Sequence, residues 1–273
     1  MNPLPTILVV TPTLGTSRFL DRTVASIASQ TVPILPVLVA PTAVVPALQA
    51  RYPRTLVLPD AGRAAGLYGA LNVALADAPG PWGWFTYIND DDLLLPGFSQ
   101  VARRHLAQAF PEPVAYGNVE LVDAREQPIS RVTVERNPAW IPALLQAGIS
   151  PVMQQGMLMR RDCVERRQGF NLRYRLCADL DFWLRALAAG EKFRFYNRPI
   201  ARFRLRDGQL SSDTALTMRE QDEIVALQLP EPVPAALRYF AVGRYRLLNL
   251  PRYLARARRR GLRTSYTILH PAS

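Results

Sequence analysis

Lysine is almost absent from this 273-residue chain: Lys192 stands alone, so 32 of its 33 basic residues are arginine. Against 22 acidic residues this gives a net charge of +11. With alanine, proline and leucine also abundant, the arginine excess reads first as compositional bias, and charge by itself selects no partner. Cysteine is equally scarce. Cys163 and Cys177 make neither a disulfide framework nor a thiolate metal site, and their scarcity favours a reducing compartment. Long apolar runs are missing too. The uncharged stretch between Arg22 and Arg51 is interrupted by Pro33, Pro36, Pro41 and Pro46, and no apolar run in it reaches the roughly 18 residues of a membrane span. A secretory signal is not expected, because Ile7–Val10 is too short for an h-region and no charged segment precedes it. What the chain does have is 49% hydrophobic and 20% charged residues, which excludes disorder as its main state and supports a sizeable core. Its length suits two average domains or one large α/β domain with an appendage.

The first half alternates short β-rich runs with helical spacing. Thr6–Thr11, Leu35–Ala40, Arg54–Leu58 and Gly83–Ile88 read as strands, and Arg18–Ser29 and Ala64–Ala76 as helices. Such alternation predicts a doubly wound, mostly parallel sheet with helices on both faces, which binds ligands beyond the carboxyl ends of its strands. From Pro113 the pattern changes. Strands are predicted at Val114–Val122, Ile129–Val134, Gly156–Arg160, Lys192–Tyr196 and Ile200–Leu205, with helices at Pro138–Ala147 and Ala178–Ala189. After Ser212 the chain reads as helical, at Thr214–Leu227 and Ala235–Arg260.

Two acidic groups could carry chemistry. Asn89-Asp90-Asp91-Asp92 directly follows an apolar run, and three successive carboxylates repel one another unless they are solvated or hold a cation. If extended, the chain puts Asp90 and Asp92 on one face and Asp91 on the other; a turn would bring two together on a Mg²⁺ or Mn²⁺ ion. A solvated acidic turn before Pro96-Gly97 would look the same. Asp179 and Asp181 fall in the first turn of a predicted helix, where carboxylates also cap free N–H groups. Two residues apart, they do not share a helix face, so at most one points into a site while the other braces. A general base would have to be held close to the hydroxyl it deprotonates.

Several segments together resemble the family 2 glycosyltransferases: Thr11-Pro12-Thr13, Gly66 to Asn72, Asn89 to Leu93, Tyr116-Gly117-Asn118, Gln154-Gln155 before Arg160-Arg161, Gly169-Phe170-Asn171, and Ala178 to Arg185. They occur in the family's order over about residues 5–212. The resemblance implies a GT-A fold at 1–212, with a nucleotide-sugar-binding half at about 1–112 and an acceptor half at 113–212, then a helical basic extension at 213–273. It implies inverting, metal-dependent transfer of a sugar from a nucleotide-sugar to an acceptor hydroxyl. The acceptor would be a saccharide or lipid-linked, in bacterial surface polysaccharide or glycoconjugate assembly. Carried over residue by residue, Asp179 is the catalytic base. Asp91 is the principal ligand of Mn²⁺ or Mg²⁺, supported by Asp92. Thr11, Pro12, Thr13, Asp60, Asn72, Asn89 and Asp90 line the nucleotide-sugar pocket, and Gln155, Trp183, Asp181 and Arg206 face the sugar or acceptor. The chain departs from the family in ending its second strand at Ala40-Pro41-Thr42 with no acid, in Gly69, and in Arg206 where a histidine is common. An arginine there could pair with the diphosphate directly.

Between Arg238 and Arg263 nine arginines and no acid are interleaved with Tyr239, Phe240, Tyr245, Leu247, Leu248, Leu250, Tyr253 and Leu254. This basic amphipathic stretch either packs its apolar face on the domain or rests on anionic membrane. The expected location is cytoplasmic, with peripheral contact at the inner face of the membrane through 238–263. No nucleic-acid recognition motif is present. The rival readings are a degenerate GT-A binding module without turnover, a phosphoaspartate phosphatase and a nucleotidyltransferase. Leu94 lies where the phosphatase loop wants Thr or Val, and Thr11–Arg18 lacks the nucleotidyltransferase's basic glycine-rich loop.

Overall fold

Strand β1 (Thr6–Pro12) shows how the core is divided. Its five central residues are all buried, as a continuous β-branched run demands when both faces of a sheet are covered. Leu8 and Val10 enter one apolar core and Ile7 and Val9 another, following the two-residue alternation of a strand. The computed structural model describes residues 3–260 apart from 61, 63–65, 133, 207 and 211–212.

After β1 come α1 (Leu20–Ala28), β2 (Ile34–Ala40), α2 (Val45–Arg51), β3 (Leu56–Pro59), α3 (Gly66–Asp77), β4 (Trp82–Tyr87), β5 (Leu93–Leu94) and α4 (Pro96–Leu106). The second half holds β6 (Val114–Val122), β7 (Pro128–Val132), α5 (Ile141–Leu145), β8 (Leu158–Arg160), α6 (Arg161–Arg166), α7 (Ala178–Ala188) and β9 (Phe193–Arg204). Helices α8 (Thr214–Gln228), α9 (Ala235–Leu248) and α10 (Leu250–Arg260) follow. One nine-stranded sheet runs through both halves in the order β3-β2-β1-β4-β8-β6-β9-β5, with β7 beside β6. Strands β3, β2, β1 and β4 are mutually parallel, as the βα alternation predicts. Strand β9 is parallel to β6, whereas β8, β5 and β7 run antiparallel to their neighbours. Helices α3 and α7 cover one face; α1 and α4 cover the other.

Four differences from the sequence reading have local causes. The two strands expected between Lys192 and Leu205 are one strand, β9, whose pairing with β6 slips on either side of Asn118, where Pro199 lies opposite. Proline offers no N–H to a ladder, so the strand bulges rather than ends. Helices α2 and α4 were not expected, because Pro46 and Pro96 read as loop residues; both stand in a first helical turn, where a missing N–H costs nothing. Helix α4 passes so close to β9 that a Cβ on Gly97 would lie 2.0 Å from the Pro199 carbonyl oxygen. The single helix expected over Ala235–Arg260 is two, divided at Asn249, since Pro251 cannot sit within a continuing helix.

Helix α9 packs Ala241 and Tyr245 against Ala143 and Leu144 of α5, and Arg244 pairs with the buried Glu135 at 2.7 Å. Its other side is bare: Leu237, Tyr239, Phe240 and Leu247 are exposed, as are Leu250 and Leu254 of α10. Arg263 and the side chains of Arg256, Arg259 and Arg260 lie outside what the structure describes. Among the described residues no helix is long and apolar enough to cross a membrane.

Candidate active site

The parallel strands deliver their carboxyl ends to one edge of the sheet. There Pro12 and Thr13, Ala40 and Pro41, Asp60, and Asn89 to Asp91 wall a cavity of about 1090 Å³. The second half supplies the rest of the lining: Gln154 and Gln155, Asp179 at the start of α7, and Arg206, Gly208, Gln209 and Leu210 beyond β9.

The acidic segment is a turn and not an extended strand. Strand β4 stops at Tyr87, and the Asp92 N–H closes back on the Asn89 carbonyl at 3.1 Å. Asp90 and Asp91 therefore both reach the cavity while Asp92 turns inward, overturning the pairing of Asp90 with Asp92 that alternation predicts. Thr13 donates to the Asp90 carboxylate at 2.6 Å and Ser17 to the Asp90 carbonyl at 3.0 Å. Burial, with the Asp91 charge alongside, raises the Asp90 pKa above its ordinary value even though the Thr13 bond opposes it. Asp91 accepts from Arg206 Nε at 2.6 Å. Asp92 is 0% exposed; its carboxylate takes the Arg204 N–H at 2.8 Å and the Asn89 amide at 3.2 Å. Burial and then the Asp91 charge push the Asp92 carboxyl well up. Arg204 locks the turn from behind, donating to the Asp91 carbonyl and the Glu126 carboxylate, each at 2.8 Å.

In the same lining, Asp179 accepts from the Tyr68 hydroxyl at 3.0 Å and from the Leu180 N–H at 2.8 Å. Burial dominates these hydrogen bonds and pushes its pKa up to about 6, a range in which a carboxylate can take a proton near neutral pH. The backbone before it is held by Glu220 of α8, which accepts the N–H groups of Arg175, Leu176 and Cys177 at 2.8, 2.8 and 3.0 Å.

No protein-family model matches this sequence, and no curated protein does. Solved structures share its architecture at low identity. TarS 1-349 of S. aureus in complex with UDP-GlcNAc superposes at a TM-score of 0.63, with 16% identity over 94% of this chain and 74% of that one. A mannosyltransferase from Pyrobaculum calidifontis in complex with GDP-Man and Mn²⁺ superposes at 0.58, with 15% identity over 96% of this chain and 76% of that one. Glucosyl-3-phosphoglycerate synthase from Mycobacterium tuberculosis, with Mn²⁺, UDP and glucosyl-3-phosphoglycerate, superposes at 0.55, with 16% identity over 84% and 81%. The chain has the GT-A fold.

In this GT-A frame Pro12, Thr13, Asp60, Asn89, Asp90, Asp91, Gln155, Asp179 and Arg206 come together around the cavity. Five residues expected there do not line it. Thr11 is wholly buried in β1. Asn72 bridges to the Phe170 backbone, donating to its carbonyl at 2.8 Å and accepting its N–H at 2.9 Å. Trp183 belongs to the apolar core. Asp181 faces away from Asp179, as two-residue helical spacing dictates, and binds Arg185 at 2.7 Å and Gln228 at 3.3 Å. Asp92 is buried just behind the lining, against Asn89.

Sequence reasoning assigned no role to Tyr68, Arg204 or Glu220. Tyr68 lies within the Gly66–Asn72 motif, so a signal existed; the partners of Arg204 and Glu220 lie far away in sequence, and none did. Three buried amide oxygens of cavity-lining residues, Asn89 Oδ1, Gln154 Oε1 and Gln155 Oε1, have no hydrogen-bond partner among the described residues.

A divalent cation fits these residues poorly. Among the described residues no three histidine, cysteine, aspartate or glutamate side chains cluster, so a cation would rely on one or two carboxylates and the substrate's phosphates. With Asp92 turned inward, Asp91 is the principal candidate, and its Oδ2 already carries the Arg206 guanidinium.

Proposed function

We propose that this protein is an inverting glycosyltransferase of the family 2 type, moving a sugar from a nucleoside-diphosphate-sugar to an acceptor hydroxyl. The observation that carries the reading is Asp179: a carboxylate with its pKa raised to about 6, lining one cavity with the acidic turn and Arg206 at the carboxyl edge of a GT-A sheet. The names of the neighbouring structures, which bind UDP-GlcNAc, GDP-Man or UDP, support it.

In this mechanism Asp179 takes the acceptor's hydroxyl proton as the oxygen attacks the anomeric carbon. The new C–O bond forms on the face opposite the leaving group, and the old C–O bond breaks with its electron pair going to the nucleoside diphosphate. Tyr68 orients the base through its bond to Oδ1. Pro12, Thr13, Asp60 and Asp90 wall the nucleoside end. The amide side chains of Asn89, Gln154 and Gln155 line the same cavity, and amides both donate to and accept from sugar hydroxyls. No step is assigned to a divalent cation, because the donor set does not fit one.

The acceptor is a saccharide or a lipid-linked saccharide, as in surface polysaccharide or glycoconjugate assembly. The bare apolar and arginine-bearing side of α9 and α10 supports peripheral docking on anionic lipid, where a lipid-linked acceptor would lie.

The test is nucleoside diphosphate release from a panel of UDP-, GDP-, ADP- and dTDP-hexoses, with and without saccharide acceptors. Release from one donor, lost in Asp179→Asn, supports the reading. Tight donor binding with no release under any condition would make the protein a binding module instead.

A further inference from the structure

A departing diphosphate needs a positive partner, and the strands place one beside it. We infer that Arg206 takes the place of a bound divalent cation: its guanidinium, docked on Asp91, grips the donor's diphosphate, so that donor binding needs no metal. This rests on the glycosyltransferase reading above.

Three observations carry it. First, the pairing is specific. Arg206 Nε meets Asp91 Oδ2 at 2.6 Å, with the Asp91 side chain 9% and the Arg206 side chain 31% exposed, so a cation arriving at that oxygen would have to displace the guanidinium. Second, the arginine is placed by the fold. Arg204, two residues earlier, binds the Asp91 carbonyl through its own Nε at 2.8 Å and the Asp92 carboxylate through its backbone N–H at 2.8 Å. The Arg206 N–H is held by Gln209 at 2.8 Å. The end of β9 and the residues just past it thus present two arginines to one aspartate, Arg204 to its carbonyl and Arg206 to its carboxylate. Third, the charge is supplied by the chain. Arg18 and Arg175 join Arg206 in the cavity lining, where they face the carboxylates of Asp60, Asp90, Asp91 and Asp179.

A guanidinium is planar with five N–H donors and is suited to bidentate phosphate recognition. In this arrangement Asp91 orients the guanidinium, and Arg206 does the phosphate-facing work.

The experiment is isothermal titration of the full-length protein with UDP, GDP, ADP and CDP, once in EDTA and once in Mn²⁺. One nucleoside diphosphate is expected to bind equally well in both. Arg206→Ala should weaken that binding about tenfold or more in EDTA, the loss expected of one charge-assisted phosphate contact. Arg206→His, which puts a metal-ligating imidazole beside Asp91, should convert the site to one that binds in Mn²⁺ and not in EDTA. A merely structural arginine would not produce that exchange. Wild-type binding that requires Mn²⁺, or EDTA binding unchanged in Arg206→Ala, overturns the inference and leaves the glycosyltransferase reading standing. No binding of any nucleoside diphosphate in either buffer overturns both.

Discussion

The Tyr68 hydroxyl donates to Asp179 Oδ1 at 3.0 Å while lying 2.9 Å from the Leu176 carbonyl oxygen. The two residues are 111 positions apart. This contact joins α3, packed against β1, β2 and β3, to the first turn of α7, so Asp179 is oriented by a helix of the first half. Burial drives the Tyr68 pKa well above 10, so the hydroxyl remains a donor throughout the working range.

Asp179→Asn should abolish transfer and leave nucleoside diphosphate affinity nearly unchanged, because the amide keeps the shape and cannot take a proton. Single-turnover transfer beside titration calorimetry of the same variant separates the two effects.

The pH profile follows from the sign of the shift. A base with a pKa of about 6 is protonated and idle below that value, so kcat should rise through pH 6 and level off above it. Tyr68→Phe removes a hydrogen bond that favours the charged carboxylate. The rising limb should therefore move to higher pH, while a purely structural defect would lower the plateau without moving the limb.

Glu220→Ala should destabilise the fold by about 1–3 kcal/mol, since it takes the acceptor from three backbone N–H groups, of which that of Cys177 is buried. Urea unfolding would measure it. Loss of transfer should exceed loss of donor binding, because the segment Glu220 holds leads directly into Asp179.

Gly169 has φ +68°, and a Cβ there would lie 2.5 Å from Asn72 Oδ1, the atom that accepts the Phe170 N–H. Gly169→Ala should cost about 2 kcal/mol or more, from left-handed strain and the displaced amide together. Gly190→Ala is the control: its φ is +79° with nothing within 4 Å, so only the strain of about 1–2 kcal/mol applies.

Vesicle sedimentation tests the outer side of α9 and α10, where Tyr239 is 80% and Leu247 70% exposed. The protein should sediment with phosphatidylglycerol vesicles and not with phosphatidylcholine. Each charge reversal at the exposed Arg246 and Arg258 should weaken binding by at least about 1 kcal/mol.

Much of this molecule is written locally in its chain. The β-branched runs of β1 and β2 and the intervening helix announce a parallel, covered sheet, because period and side-chain shape depend only on near neighbours. The same holds for Asp179 and Asp181 turning to opposite sides of α7, which helical geometry alone requires. The sequence by itself thus determined the strand–helix alternation, the edge where ligands would gather and the two acidic segments that matter. Only the tertiary structure decided what each carboxylate does there. Arg206 reaches Asp91 across 115 residues, Arg204 reaches Asp92 across 112, and Glu220 reaches Cys177 across 43. No periodicity encodes such pairs. They arise because burying a charged group is tolerable only beside a partner, and packing selects which partner is near.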